Sequence, residues 1–184
     1  MQIVTLPAFT KDGVLPVGDY PLTLDGIRTS FLATERPENP LWDHKWRAKL
    51  VDHLEILANQ LWEAGVTEIF INGSFVEDKD HPNDIDGYFV CQRKRLISGE
   101  LQRDLNLLDP YKVWTWSPEA RMPAPGFTKR QLPMWHRYRV ELWPHIGLTS
   151  GIKDKHGNEQ EFPAAFRKTR HDYKPKGIIK LIRK

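Results

Sequence analysis

A long apolar stripe, followed directly by a helix stop and a second apolar run, constrains the fold of this chain most strongly. Large apolar residues recur at steps of three and four through Trp42, Trp46, Leu50, Leu54, Leu57 and Leu61. This spacing predicts an amphipathic helix over 41–64, and Gly65 marks its C-terminal end. Residues 66–71 then predict a buried strand. The chain therefore combines a helix and a strand within residues 41–71.

Periodicity elsewhere adds further elements to this pair. Thr23 as an N-cap predicts a short helix over about 24–33. Other segments are predicted as a strand over 84–91, a helix over 92–108, a strand over 137–143, and a hairpin formed by 147–155 and 159–162. The strands over 66–71 and 84–91 are expected to form an antiparallel pair.

The order of these elements predicts the fold class. Helix, strand, strand, helix and strand in succession favour an α+β domain with a small mixed sheet flanked by helices. A chain of 184 residues has the length of one domain. We expect this domain to cover 1–184, with an extended N-terminal arm over about 1–22 and a basic C-terminal tail over about 167–184.

Composition narrows the class of protein. Hydrophobic residues make up 40% and charged residues 28%, which is typical of a soluble globular protein. No apolar stretch reaches the ~20 residues of a membrane span, and the first residues lack the pattern of a secretory signal. Cys91 is the only cysteine, so a reducing, cytoplasmic location is expected. The net charge of +3 is too small to indicate nucleic-acid binding by itself.

A Gly-Ser turn and two nearby carboxylates form the main candidate site. Gly73 and Ser74 follow the apolar run 69–71, and Asp84 and Asp86 come after nine intervening residues. On a strand, Asp84 and Asp86 lie on the same face because side chains alternate. Two carboxylates on one dry face repel each other, and a divalent cation relieves that repulsion. Because the turn offers N–H groups and a hydroxyl to a phosphate, the pattern indicates nucleotide chemistry.

A third carboxylate is expected from a neighbouring strand. Glu141 lies between Val140 and Leu142, and its predicted face also carries Arg139 and Trp143. Metal ions that hold the attacking and leaving oxygens of a phosphoryl transfer are bridged by several carboxylates. The expected ligands of Mg²⁺ or Mn²⁺ are therefore Glu141 and the two aspartates of the motif.

Plainer interpretations of the same residues stay open. Residues 82–84 are also a good turn signal, and a Gly-Ser pair with a later Asp-x-Asp occurs often by chance. Some tryptophans have the surface to stack a base, but their pattern favours core packing: Trp114, Trp116, Trp135 and Trp143. Several basic residues suit a triphosphate or nucleic acid and equally a solvated tail: Arg167, Lys168, Arg170, Lys174 and Lys176.

The motif resembles a known signature. Residues 71–74 and 84–87, Ile-Asn-Gly-Ser and Asp-Ile-Asp-Gly, are similar to the Gly-Ser and Asp-x-Asp of the nucleotidyltransferase superfamily. That superfamily includes DNA polymerase β, aminoglycoside nucleotidyltransferases and the MNT proteins of toxin–antitoxin pairs. Further blocks resemble uncharacterised bacterial and phage members: 6–9, 13–18, 137–142 and 176–179. The resemblance implies the polymerase β-like nucleotidyltransferase fold.

The resemblance also implies roles for individual residues. Gly73 and Ser74 would hold the nucleoside triphosphate, and Asp84 and Asp86 would bind the metals. Glu141 would be the third acid, at a position where many members carry Asp.

Two basic residues and one glycine complete the candidate site. Arg139 and Lys176 are the candidates for contacts with the phosphates, since Arg matches phosphate geometry and Lys supplies a compact charge. Gly87 departs from the superfamily pattern, which usually has a bulky apolar residue after the second acid.

Three functions are consistent with the sequence. The first is a metal-dependent nucleotidyltransferase that moves a nucleoside monophosphate from an NTP to a protein, RNA or small-molecule acceptor. The second is a catalytically silent member that binds a protein partner as an antitoxin or a phage-encoded inhibitor. The third is a nucleic-acid-binding module that uses the basic segments 92–103 and 167–184. The three acids and the Gly-Ser turn favour the enzyme.

Overall fold

A five-stranded mixed sheet organises the computed structural model, which describes residues 6–183. Residues 1–5 of the predicted arm and Lys184 of the predicted tail lie outside the described residues. The strands are β1 (Asp19–Leu22), β2 (Glu68–Asn72), β3 (Ile85–Val90), β4 (Val140–His145), β5 (Thr149–Lys153), β6 (Glu159–Glu161) and β7 (Ile178–Leu181). The helices are α1 (Leu24–Arg28), α2 (His44–Glu63), α3 (Arg93–Ile97), α4 (Glu100–Leu108), α5 (Pro133–Tyr138) and α6 (Phe162–Ala165), with 3₁₀ turns at Gly73–Val76 and Pro118–Ala120.

The strand order in the main sheet is β1, β7, β2, β3, β4. Strand β2 is antiparallel to both of its neighbours, whereas β1 with β7 and β3 with β4 are parallel pairs. The predicted antiparallel pair of β2 and β3 and the predicted hairpin, now β5 and β6, are both confirmed. The α+β class and the mixed sheet are therefore confirmed.

The long helix α2 follows the predicted stripe closely. The Asp43 side chain caps it by accepting a 3.0 Å hydrogen bond from the Trp46 backbone N–H. Leu50, Leu54 and Leu57 are wholly buried in the core between the helix and one face of the sheet. Asp86 and Glu141 lie on the other face of the sheet, which this helix does not cover.

The segment before β4 differs from the prediction. Residues 137–138 end helix α5, and Arg139 follows in a left-handed conformation at φ 53°. The strand begins only at Val140, because Pro133 starts a helix that the apolar alternation of 138–142 concealed. The expectation that Arg139 shares a strand face with Glu141 is therefore wrong.

The predicted helix over 92–108 is in fact two helices. Gly99 lies between α3 and α4 with a φ of +71°, a left-handed conformation that ends one helix before the next begins. The predicted helix over 24–33 begins after Thr23 as expected but already ends at Arg28.

The predicted basic tail contains a strand of the sheet. Strand β7 lies between β1 and β2, so the two ends of the described chain meet in one sheet. Several basic residues before it are paired within the chain, with Arg167 bound to Asp19 and Lys174 bound to Asp12, each at 2.7 Å. Within residues 6–183, no helix has the length and apolar character needed to cross a bilayer.

Candidate functional site

Strands β3 and β4 bring three carboxylates together on the face of the sheet that α2 does not cover. Asp86 and Glu141 are partners in the parallel register of these strands, so their side chains project to the same side. Asp84 stands two residues before Asp86 and next to the first residue of β3. Glu141 is only 8% exposed, and both aspartates are half-buried. The structure therefore places the predicted acidic triad on one face of the sheet, although its members are not gathered as a metal ligand set among residues 6–183.

Burial raises the pKa values of all three carboxylates. Burial raises the pKa of Asp86 well above its usual range, and the charges of Asp84 and Glu141 raise it further. Burial likewise raises the pKa of Asp84 and the pKa of Glu141. Such a cluster favours its protonated form unless a cation offsets the negative charge.

The Gly-Ser turn lies directly against the middle carboxylate. Gly73 has a φ of +76°, and a Cβ atom there would stand 2.5 Å from Oδ2 of Asp86. Asn72 fixes the turn, because its Oδ1 accepts a 2.6 Å hydrogen bond from the Gly73 N–H while its Nδ2 donates to the Gly177 carbonyl at 3.2 Å. Position 73 therefore requires glycine both for its backbone conformation and for its contact with the acid.

Ser74 continues the turn with its side chain available. It is half-buried, and its hydroxyl makes no hydrogen bond to another residue in the part of the chain that the structure describes. This hydroxyl and the backbone of the turn can meet an oxyanion placed beside Asp86.

A buried arginine holds the loop between Ser74 and Asp84. Arg47 of α2 is wholly buried and donates to the carbonyls of Phe75 at 2.7 Å and Lys79 at 2.6 Å. Burial lowers the pKa of the Arg47 guanidinium to about 9. The long helix thereby sets the position of the loop that joins the turn to the acids.

Lys176 lies beneath the turn instead of projecting into solvent. Its side chain is 4% exposed, forms an ion pair with Glu77, and has its amine 3.4 Å from the Gly73 carbonyl. The positive charge of Lys176 also lowers the pKa of Asp86. Lys176 is thus placed to hold the turn and to offset the charge of the cluster.

Arg139 reaches the site from the end of α5. Its guanidinium carbon lies 3.9 Å from the centre of the Trp135 ring, and its charge lowers the pKa of Asp84. Stacking holds the guanidinium plane without using its hydrogen-bond donors.

Three further cations surround the cluster, and the sequence had indicated only one of them, Arg170, as a residue suited to a triphosphate. Arg170 lowers the pKa values of Asp84 and Asp86, Lys79 lowers that of Asp84, and Arg121 lowers that of Glu141. Among residues 6–183, none of these three cations forms an ion pair, and neither does Arg139. Lys79 lies in the loop between Ser74 and Asp84, so its position in the sequence motif could have identified it. Arg121 lies in a stretch without a clear period, and nothing in the sequence pointed to it.

Two hydrogen bonds hold the outer carboxylates. The Trp135 indole Nε1 donates to Oδ2 of Asp84 at 2.7 Å, and the Leu132 backbone N–H donates to Oε1 of Glu141 at 3.4 Å. Trp135 lies in helix α5, and Leu132 is the residue directly before that helix. Sequence reasoning considered Trp135 only as a base platform or a core residue.

Gly87 is explained by a close approach of neighbouring strands. A Cβ atom at this position would overlap the Phe70 carbonyl oxygen and stand 2.8 Å from Cδ2 of Leu142. A bulky residue has no space here, so the departure from the superfamily pattern follows from the packing of β2 against β4 across β3.

Comparison with protein-family models assigns the chain to a family. A model described as a family of unknown function, DUF6932, matches residues 7–182. The chain belongs to this family. Neither curated proteins nor solved structures gave a match. The DUF6932 match spans the turn, all three acids and the cations around them.

The site of this DUF6932 protein fits a divalent cation by charge and donor type. Carboxylate oxygens are the hard ligands that Mg²⁺ and Mn²⁺ prefer. Burial raises the pKa values of Asp84, Asp86 and Glu141, and a bound cation would favour their charged forms. In the described part of the chain, no three His, Cys, Asp or Glu side chains are already gathered as a ligand set. Two of the carboxylates instead accept hydrogen bonds from Trp135 and Leu132.

The alternative basic surfaces are in part neutralised within the chain. Arg95 of the 92–103 segment forms ion pairs with Glu100 and Asp104, both at 2.7 Å. Together with the pairs of Arg167 and Lys174 already described, these contacts reduce the positive charge that either segment offers to nucleic acid.

Proposed function

We propose that this protein is a metal-dependent nucleotidyltransferase that moves a nucleoside monophosphate from an NTP to a hydroxyl of an acceptor. One observation carries the proposal: Asp84, Asp86 and Glu141 share one face of two parallel strands, with the Gly73 turn against the middle acid. The fold that the proposal assumes is the polymerase β-like one, and the α+β sheet supports it at the level of class.

The chemistry of the transfer accounts for the composition of the site. The reacting phosphorus carries negative charge on its oxygens, so positioning and charge neutralisation supply most of the catalysis. Mg²⁺ or Mn²⁺ held by the three acids would supply a Lewis acid for the phosphate oxygens. The acids are well suited to hold it, because their mutual repulsion falls when a cation is shared.

The chain's own residues divide the remaining work. The backbone N–H and the hydroxyl of Ser74 bind terminal phosphate oxygens, as such turns do for anions, because the Gly73 N–H already donates to Asn72. Arg139 and Arg170 offset the charge of the departing pyrophosphate, since neither guanidinium is in an ion pair with another described residue. Lys176 keeps the turn in place through its contacts with Gly73 and Glu77.

Strand order separates the donor side of the site from the acceptor side. The turn follows β2, whereas Glu141 belongs to β4 on the opposite side of β3. The acceptor hydroxyl then approaches from the β4 side, where the Glu141 carboxylate is placed to take its proton. The acceptor is a protein, an RNA end or a small molecule.

Calorimetric titration of the four NTPs in the presence of Mg²⁺ tests the proposal. We expect at least one NTP to bind, and binding to be lost in Asp84→Ala and Asp86→Ala. Glu63→Gln, which removes an exposed carboxylate at the end of α2 on the opposite face of the sheet, should bind as the wild type does. Absence of NTP binding in the wild type, or unchanged binding in Asp84→Ala, would contradict the enzyme.

A second candidate function is a silent binding protein, either an antitoxin or a phage-encoded inhibitor. The observation in its favour is that the acids are not yet gathered as a metal ligand set in residues 6–183. It predicts that the double variant Asp84→Ala/Asp86→Ala keeps the biological activity of the protein. Loss of activity in that variant, with the fold intact, would exclude it.

A further inference from the structure

Trp135 joins two parts of the candidate site that the sequence treats separately. Its indole Nε1 donates a 2.7 Å hydrogen bond to Oδ2 of Asp84, and its ring lies 3.9 Å below the guanidinium carbon of Arg139. The side chain itself is 1% exposed, and the ring of Phe127 packs edge-on against it at 4.9 Å. A rigid buried ring therefore contacts both an acid and a cation.

Comparison with two other buried tryptophans shows that this bond is not required by burial. The indole N–H of Trp114 is satisfied by a neutral partner, the Gln60 side chain, at 2.6 Å. The indole N–H of Trp42 is buried without a partner among residues 6–183. This protein tolerates a buried indole with a neutral acceptor or with none, whereas Trp135 is bound to a carboxylate of the triad.

The bond restricts the carboxylate of Asp84 in a specific way. A hydrogen bond to Oδ2 fixes the rotation of the carboxyl group and leaves Oδ1 outside this bond. Hydrogen bonds of this kind to ligating carboxylates orient them and are worth about 10–100-fold in metal affinity. The aromatic ring at the same time limits the positions of the Arg139 guanidinium.

We propose that Trp135 is a positioning residue that orients Asp84 toward a divalent cation through its N–H and Arg139 toward a triphosphate through its ring. This inference rests on the proposed function, since it assigns a role within the same site. It makes the two roles separable, because the N–H and the ring can be removed one at a time.

Two variants separate the N–H from the ring. Trp135→Phe removes the donor and keeps an aromatic face under Arg139, whereas Trp135→Leu removes both. Trp114→Phe is the matched control. It removes a buried indole N–H whose hydrogen bond has a similar length but is accepted by Gln60 instead of a residue of the site. The free energy of unfolding of each variant, measured in urea, provides the measure of purely structural damage.

Mn²⁺ binding by electron paramagnetic resonance and ATP binding without metal are the two readouts. We expect Trp135→Phe to weaken Mn²⁺ binding about 10–100-fold and to leave metal-free ATP binding within about twofold of the wild type. Trp135→Leu should weaken both. Trp114→Phe should lose comparable stability while binding Mn²⁺ and ATP as the wild type does.

Two results overturn the inference in distinguishable ways. If the wild type binds Mn²⁺ and Trp135→Phe binds it equally well or more tightly, the inference alone fails, because the indole is then irrelevant to the cation or competes with it. If the wild type binds neither Mn²⁺ nor ATP, the proposed function fails together with the inference.

A measurement on the wild-type protein decides the matter if Trp135→Phe does not fold. In a nitrogen-15 spectrum, the indole N–H resonance of Trp135 should shift as Mg²⁺ is added, while that of Trp114 stays in place. No shift of the Trp135 resonance at saturating Mg²⁺ would overturn the inference.

Discussion

Gly73 approaches Asp86 so closely that a Cβ atom at position 73 would stand 2.5 Å from Oδ2 and 2.9 Å from Cβ of that aspartate. The turn and the middle acid therefore form one unit, in which any group bound by the turn lies beside the acid. This relationship connects the two halves of the sequence motif in space, although nine residues separate Ser74 from Asp84.

The first prediction concerns this contact. Gly73→Ala should weaken Mn²⁺ binding at least tenfold, or about 1.4 kcal/mol, because the added methyl displaces the Asp86 carboxylate. Gly147→Ala is the matched control, since Gly147 has the same φ of +76° but no atom within 4 Å of a Cβ. That control should cost about 1–2 kcal/mol of unfolding free energy from left-handed strain alone and leave Mn²⁺ binding intact. Equal Mn²⁺ affinities in both variants would refute the prediction.

The second prediction concerns pH and stability without metal. The folded-state pKa of Asp86 is raised, so above its ordinary pKa of about 4 the native state binds more protons than the unfolded state. The free energy of unfolding in EDTA should therefore fall as the pH rises through the raised values. Asp86→Asn should remove part of this fall and be more stable than the wild type near pH 8, because the amide carries no buried charge.

Urea unfolding at several pH values in EDTA measures this effect. The advantage of Asp86→Asn should vanish below pH ~4, where the carboxyl group is protonated in both states. Glu63→Gln serves as the control for the loss of one charge at an exposed position. A stability difference between Asp86→Asn and the wild type that stays constant from pH 4 to 8 would be inconsistent with the raised pKa.

The third prediction concerns Arg170. Its side chain is exposed, acts on both Asp84 and Asp86, and has no ion-pair partner in the described chain. Arg170→Gln should weaken NTP binding by about 1.5–3 kcal/mol, or roughly 10–150-fold, because a charged hydrogen bond to phosphate is lost. Lys155→Gln, at the exposed end of the β5–β6 hairpin, should have no effect. Calorimetry that finds both variants equal to the wild type would remove Arg170 from the site.

The fourth prediction concerns Gly87 and stability. Gly87→Ala should cost about 2–3 kcal/mol or more of unfolding free energy, because its Cβ would overlap the Phe70 carbonyl. Gly18→Ala is the control, since the nearest atom to its Cβ is the flexible end of Tyr20 at 3.3 Å. A Gly87→Ala protein as stable as Gly18→Ala would show that the strands separate more easily than their spacing indicates.

The acidic pair and its strand were predictable because they depend on local pattern. Alternation places Asp84 and Asp86 on one side, and the apolar residues around them identify the strand. Glu141 was predictable for a similar reason, as a single acid inside an apolar alternation. These are short-range properties that survive in the folded chain.

What the sequence left undetermined depends on long-range contacts. The pairing of Asp19 with Ile178 joins the two ends of the chain, and no local pattern carries that information. The same holds for the bond of Trp135 to Asp84 and for the charge of Arg121 near Glu141. The strand face assigned to Arg139 failed because a short helix and an alternating strand have similar patterns over a few residues.

A crystal of the protein soaked with Mn²⁺ and a non-hydrolysable NTP tests the central claim most directly. The account predicts anomalous density for Mn²⁺ in contact with Asp84, Asp86 and Glu141, and phosphate density on the turn at Gly73 and Ser74. Mn²⁺ and nucleotide bound elsewhere on the protein, or no density at the triad at saturating concentrations, would contradict it.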